Sequence, residues 1–177
     1  MIATLPMYDL PALRTATDAW WSGLAGHLRG RGVKGAPVEL TRDGAPRDFH
    51  WRSPQLLLSQ TCGYPLVHAL AGRARLIATP RYGAPGCAGA FYRSLIVARA
   101  DAPAERLADF ENATVAVNAY DSHSGWNALH LMADDLGGWE ALFTETVISG
   151  SHAASIDLVR SGGADVAAID CVTHALL

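Results

Sequence analysis

Between the apolar run Thr114-Val115-Ala116-Val117-Asn118 and a helical pattern with apolar residues at Trp126, Leu129, Met132 and Leu136 stands a short turn, Asp121-Ser122-His123-Ser124-Gly125. A strand that hands over to a helix through so brief a connection points to α/β packing, with the helix laid back on the sheet. The turn also aims unpaired backbone N–H groups and two hydroxyls at one spot, where the helix start carries partial positive charge. An anion suits such a place. Ordinary capping is the competing reading, because Ser and Asp are preferred N-caps.

The same device recurs. Ser149-Gly150-Ser151-His152-Ala153 opens a helical pattern over 152–161 after the strand-like run 144–149. A charged histidine in a first helical turn is repelled by the dipole, so His152 is either neutral or placed beside a bound anion. Ser59-Gln60-Thr61-Cys62-Gly63-Tyr64 is a third copy, following Leu56-Leu57-Leu58. Asp170 ends the strand-like run 165–169 and either caps the next helix or accepts a proton from a ligand. Tyr8 and Tyr92, at predicted strand ends, line a cleft or only edge the core.

The rest of the chain repeats the alternation. A first strand ends at Leu5 and Met7, and Pro11 opens a helix whose apolar face is Leu13, Ala16, Trp20, Leu24 and Leu28, stopped by Gly30 and Gly32. Residues 37–40 read as a short strand and 42–52 as a polar excursion. Further strands are expected at 75–79 and 92–98. The expectation is an α/β fold of mainly parallel sheets with flanking helices, in two lobes, 1–98 and 99–177, with a hinge near 98–103. Ligands then sit outside the carboxyl ends of the strands. The chain ends at Leu177 within a helical pattern, so the C-terminal part of a two-lobed design is expected to be missing.

Composition removes several classes. Half of the residues are hydrophobic and 18% charged, enough for a sizeable core and unlike a disordered chain. Net charge is -3 and Lys34 is the single lysine, which disfavours a nucleic-acid partner. Apolar runs are too short to insert into a membrane. Met1 to Met7 is too short and too poor in basic residues for a signal peptide, which taken literally gives a cytoplasmic product. Three cysteines, Cys62, Cys87 and Cys171, lack the spacing of a zinc site, and no metal or other cofactor is expected. Cys62 and Cys87 both follow strand patterns and are available for a bridge in an oxidising compartment; buried thiols are the other reading. GxSxG, GxGxxG and the Walker A motif are absent, so no catalytic residue is assigned.

The runs LPMYDLP, LLLSQTCGYPL, TPRYGAPGCAGAFYRSLIVAR, DSHSGWNAL, SGSHAASIDLV and ADVAAIDCVTHAL resemble the phosphate/phosphite/phosphonate type of ABC-transporter substrate-binding protein, the PhnD-like branch. The resemblance spans essentially the whole chain in segment order. It implies the type II periplasmic-binding-protein fold, a periplasmic location, and partnership with a permease and an ATPase. It further implies that Ser122, His123, Ser124, Gly125 and Trp126 cradle a small oxyanion in a cleft between lobes. Ser151 and His152 would add donors, and Asp170 would accept from a protonated oxygen or an amine. Tyr92, Tyr8, Gln60 and Thr61 would close on the ligand from the first lobe.

Reversible capture without chemistry is therefore the expected activity. One rival is a cytoplasmic lyase of the menaquinone-biosynthesis type on the same fold, with His152 as general base. The other is a ligand-sensing domain without a transporter.

Overall fold

A computed structural model describes the whole chain, Met1–Leu177. It divides into two compact units, Met1–Arg75 and Leu76–Leu177. No helix is long and apolar enough to cross a membrane.

In the first unit, strands β1 (Ile2–Thr4) and β2 (Leu56–Ser59) pair in parallel, with Thr4 opposite Ser59. Helix α1 (Arg14–Gly30) packs on them. The helix is where the sequence places it, but its inner face is centred on Trp21 and Ala25, with Leu24 and Leu28 beside them. Trp20 is 57% exposed. Adjacent helical residues point about 100° apart, so only one tryptophan of the pair can face the sheet. Within the polar excursion a short helix forms, α2 (Arg47–Trp51), and Trp51 Nε1 donates to Ser59 Oγ and to the Gln60 carbonyl. Helix α3 (Gly63–Val67) follows β2.

Two expected strands are not formed. Residues 37–40 stay irregular, although Leu40 is buried and the Thr41 amide donates to the Ala3 carbonyl. Residues 75–79 have no strand partner, and Leu76 and Ile77 are exposed. An apolar triplet without a neighbouring strand to complete its ladder gains nothing from extension.

The second unit holds a four-stranded sheet in the order β3-β6-β4-β5, from β3 (Ser94–Ala98), β4 (Ala113–Val117), β5 (Phe143–Ile148) and β6 (Val166–Asp170). β4 runs parallel to both β5 and β6, and β3 is antiparallel to β6. Strand β3, which the sequence reading assigned to the first lobe, is thus hydrogen-bonded into the sheet of the second unit, and the units divide at Arg75 and Leu76. The fold is α/β with parallel pairing dominant and helices flanking the sheet, consistent with the type II periplasmic-binding-protein class.

Both faces of β4 and β6 are covered, which is why they read as continuous apolar runs. Val115, Val117, Val166 and Ala168 pack with Leu129, Ala133, Trp139 and Leu142, from helices α4 (Ala128–Asp134) and α5 (Trp139–Leu142). Ala116, Ala167 and Ile169 face the other way, onto Val159 and Ile156 of α6 (His152–Ser161). Gly162 ends α6 at φ 78°, a left-handed residue that lets its own amide and that of Gly163 reach back to carbonyls of the last turn. A last helix, α7 (Cys171–Leu176), leaves β6 directly.

Candidate functional site

Because β4 lies between β5 and β6 and parallel to both, the carboxyl ends of all three strands open on one edge. Each is followed at once by a helix start. The connections after β4, β5 and β6 carry Ser122 to Gly125, Ser149 to His152, and Asp170.

After β4 the first helical turn is not α but π, spanning His123–Asn127. Ser122 caps it, its Oγ accepting from the Gly125 amide at 3.0 Å. The wide turn moves Ser124 inward, and Ser94 Oγ on β3 donates to the Ser124 carbonyl at 2.9 Å. Ser122, Ser124 and Gly125 are buried, whereas His123 is exposed. Trp126 turns its ring away into an aromatic cluster, edge-on to Tyr120 and stacked on His130 at 5.1 Å between centroids. Its indole packs against the core beside Trp139.

After β5, Ser149 Oγ lies 2.6 Å from Ser155 Oγ and within hydrogen-bond reach of the Ser151 and Val117 carbonyls at 3.0 and 3.3 Å, fixing the approach to α6. Ser151 is the N-cap, its Oγ accepting from the Ala154 amide at 3.1 Å. Capping uses the Ser151 hydroxyl and leaves His152 as the first helical residue. After β6, Asp170 caps α7: Oδ1 accepts from the Val172 and Thr173 amides and Oδ2 from the Thr173 hydroxyl.

The three connections meet at His152. Its Nε2 lies 2.9 Å from Ser124 Oγ and 3.5 Å from Asp170 Oδ2. The His152 side chain is 10% exposed and Asp170 is 3% exposed, so this polar group is held largely out of water, where each hydrogen bond and charge counts for more. A donor hydroxyl, an imidazole at a helix start and a carboxylate within one short reach can share an oxyanion and the proton that it carries.

Of the residues singled out in the sequence, Ser122, Ser124, Gly125, His152 and Asp170 are brought together on this edge. His123 is exposed, the Ser151 hydroxyl is used in capping, and the ring of Trp126 lies in the aromatic cluster. Tyr92 precedes β3 and is 37% exposed. Tyr8, Gln60 and Thr61 belong to the first unit, on the connections that leave β1 and β2 at their carboxyl ends. There Asp9, next to Tyr8, takes two hydrogen bonds from Arg42, and Thr61 Oγ1 donates to the Cys62 carbonyl.

Three residues were not singled out. Asn118 directly follows β4 and is buried, with Oδ1 accepting no hydrogen bond, and it lies directly under Gly125. Ser94 and Thr173 anchor Ser124 and Asp170. Asn at a strand end also reads as a turn residue, and Ser94 gains its role only through pairing with a strand far away in sequence. No group of His, Cys, Asp and Glu side chains is arranged to hold a metal ion.

A comparison with curated proteins finds no match to the chain. A family model described as "ABC transporter, phosphonate, periplasmic substrate-binding protein" matches residues 52–174, well over half of the sequence, including the carboxyl ends of β2, β4, β5 and β6. With this match the resemblance drawn from the sequence holds, and the chain belongs to the family of phosphonate ABC-transporter periplasmic substrate-binding proteins.

Proposed function

We propose that the second unit captures a small phosphonate-type oxyanion at the Ser122–Gly125 turn, with Ser124 and His152 donating to it and Asp170 accepting from it. Family membership supplies the coarser frame: a periplasmic binding component that works with a permease and an ATPase. The reading rests on one observation, the meeting of Ser124 Oγ and Asp170 Oδ2 at His152 Nε2. A guest oxygen between Ser124 and His152 takes the place of their direct bond, so capture replaces one polar contact by two.

Asp170 sets the selectivity. A fixed carboxylate repels a fully ionised dianion and favours a monoprotonated oxyanion or one with an amine. Phosphonate and phosphite monoanions meet that condition; sulfate, which carries no proton at neutral pH, does not.

The geometry also bears on the lyase alternative. Nucleophile activation by histidine uses opposite ring nitrogens, one for the hydroxyl and one for the orienting acid. Here Ser124 and Asp170 both approach Nε2, an arrangement fit for sharing a guest's proton and unlike a relay.

A thermal-shift series with methylphosphonate, 2-aminoethylphosphonate, phosphite, phosphate and sulfate tests the proposal, with phosphorus NMR following each phosphorus compound over hours. Capture without turnover raises Tm with phosphonate or phosphite, by mass action, and leaves the spectrum unchanged. Stabilisation by sulfate alone, or conversion of a phosphonate, contradicts it.

A further inference from the structure

Within the second unit a further pair of reactive side chains lies beside Asp170. Cys87 Sγ and Cys171 Sγ lie 3.5 Å apart although 84 residues separate them. Cys171 is buried as the first residue of α7, directly after Asp170, and Cys87 is half-buried.

The approach is built into the backbone. Gly86 has φ 94°, which favours glycine, and a Cβ there would lie 3.0 Å from Cys171 Cβ and 3.2 Å from its sulfur. The peptide that precedes Cys87 thus rests on the Cys171 side chain, and only a residue without a side chain allows it. The Cys87 amide donates to the Ala84 carbonyl, closing a turn, and Ala88 pairs with Phe91 just beyond. At its other end the Cys171 amide donates to the Arg93 carbonyl. Both thiols therefore sit on hydrogen-bonded backbone, with their sulfurs about 1.5 Å beyond a covalent S–S distance.

We propose that Cys87 and Cys171 form a disulfide in an oxidising compartment, the kind of location usual for this family, and that Cys62 stays a thiol. The bridge pins residues 84–91 to the strand end that carries Asp170. With oxidised glutathione as the oxidant, the Cys87 thiolate attacks one glutathione sulfur and expels the first glutathione thiolate. The Cys171 thiolate then attacks the Cys87 sulfur of the mixed disulfide and expels the second. The two cysteines lose two electrons and two protons, and one glutathione disulfide becomes two thiols. The sequence left Cys62 and Cys87 open either to bridge or to stay buried thiols; the bridge proposed here instead spans nearly half of the chain. Bridges across long loops restrict the unfolded chain most.

The test is thiol alkylation with iodoacetamide and non-reducing peptide mapping of the full chain, after equilibration with oxidised or with reduced glutathione. The oxidised protein is expected to yield a peptide joining Cys87 to Cys171 with Cys62 alkylated, and its Tm is expected to exceed that of the reduced form by at least about 5 °C. Cys62→Ser keeps the linked peptide, and Cys87→Ser abolishes both the link and the redox dependence of Tm. Full alkylation of Cys87 and Cys171 after oxidation, or a bridge that contains Cys62, overturns the inference. The mapping needs no ligand, so its outcome is independent of the oxyanion proposal.

Discussion

Gly125 sits directly on the side chain of Asn118: a methyl group at Gly125 would overlap Asn118 Oδ1 and come within 3.1 Å of His152 Cε1. The turn after β4 therefore closes over the strand end from which it came, and the imidazole closes over the turn. Neither neighbour can step aside easily, because Asn118 is 7% exposed and His152 is held by Ser124 and Asp170.

Gly125→Ala is accordingly expected to lose about 1–3 kcal/mol of stability, as small-to-large changes in packed interiors do. Urea unfolding measures this. Ligand affinity is expected to fall with it, since the methyl displaces His152. Unchanged stability would mean that the turn is looser than its packing implies.

Asp170 caps α7 and, in the proposed site, also accepts from the guest; one substitution separates the two. Asparagine is as good an N-cap as aspartate, so Asp170→Asn keeps the start of α7 and is expected to lose less than about 1 kcal/mol. It removes the acceptor charge beside His152, and affinity for methylphosphonate is expected to drop at least about tenfold, 1.4 kcal/mol. Calorimetry on a variant with near-native Tm reads the second effect free of the first. Native affinity in that variant would remove Asp170 from the site.

The Cys87 thiol is pushed above the ordinary thiol range, first by its burial and next by the Cys171 thiol to which it is hydrogen-bonded. A raised thiol pKa leaves less thiolate at neutral pH, and thiolate is the attacking species. Bridge formation with oxidised glutathione is therefore expected to accelerate with rising pH and to go on rising beyond the pH at which the reaction of a free cysteine peptide levels off. Quenched alkylation at intervals follows the protein and the peptide, and a Cys87 rate that levels off at or below the peptide's pH would contradict the raised thiol.

The parts of this architecture that depend on local chemistry were legible in the sequence. Ser122, Ser151 and Asp170 announce helix starts because caps are made by a residue and the amides two or three positions on. The runs 114–118 and 165–169 announce strands because Val115 to Val117 and Val166 to Ile169 are continuously apolar and each run is followed or closed by a polar residue, Asn118 or Asp170. What depended on adjacency was not legible. Ser94 meets Ser124, and Cys87 meets Cys171, only once β3 has been laid antiparallel to β6. The same pairing moved the boundary between the units: a strand pattern at 92–98 says nothing about which sheet will accept it. Leu76 and Ile77 mark the opposite case, an apolar pattern that found no partner. His123 and Ser124 are neighbours in the same turn, yet one is exposed and the other buried, because the turn is π-helical and its width cannot be read from residue types.

The central claim, that Ser124 and His152 hold the guest anion together, is tested most directly by isothermal titration of methylphosphonate into the wild-type chain, Ser124→Ala and His152→Gln, with Tm recorded for each. The account predicts measurable binding by the wild type and a loss of at least about tenfold in each variant at near-native Tm. Wild-type affinity in both variants would contradict it.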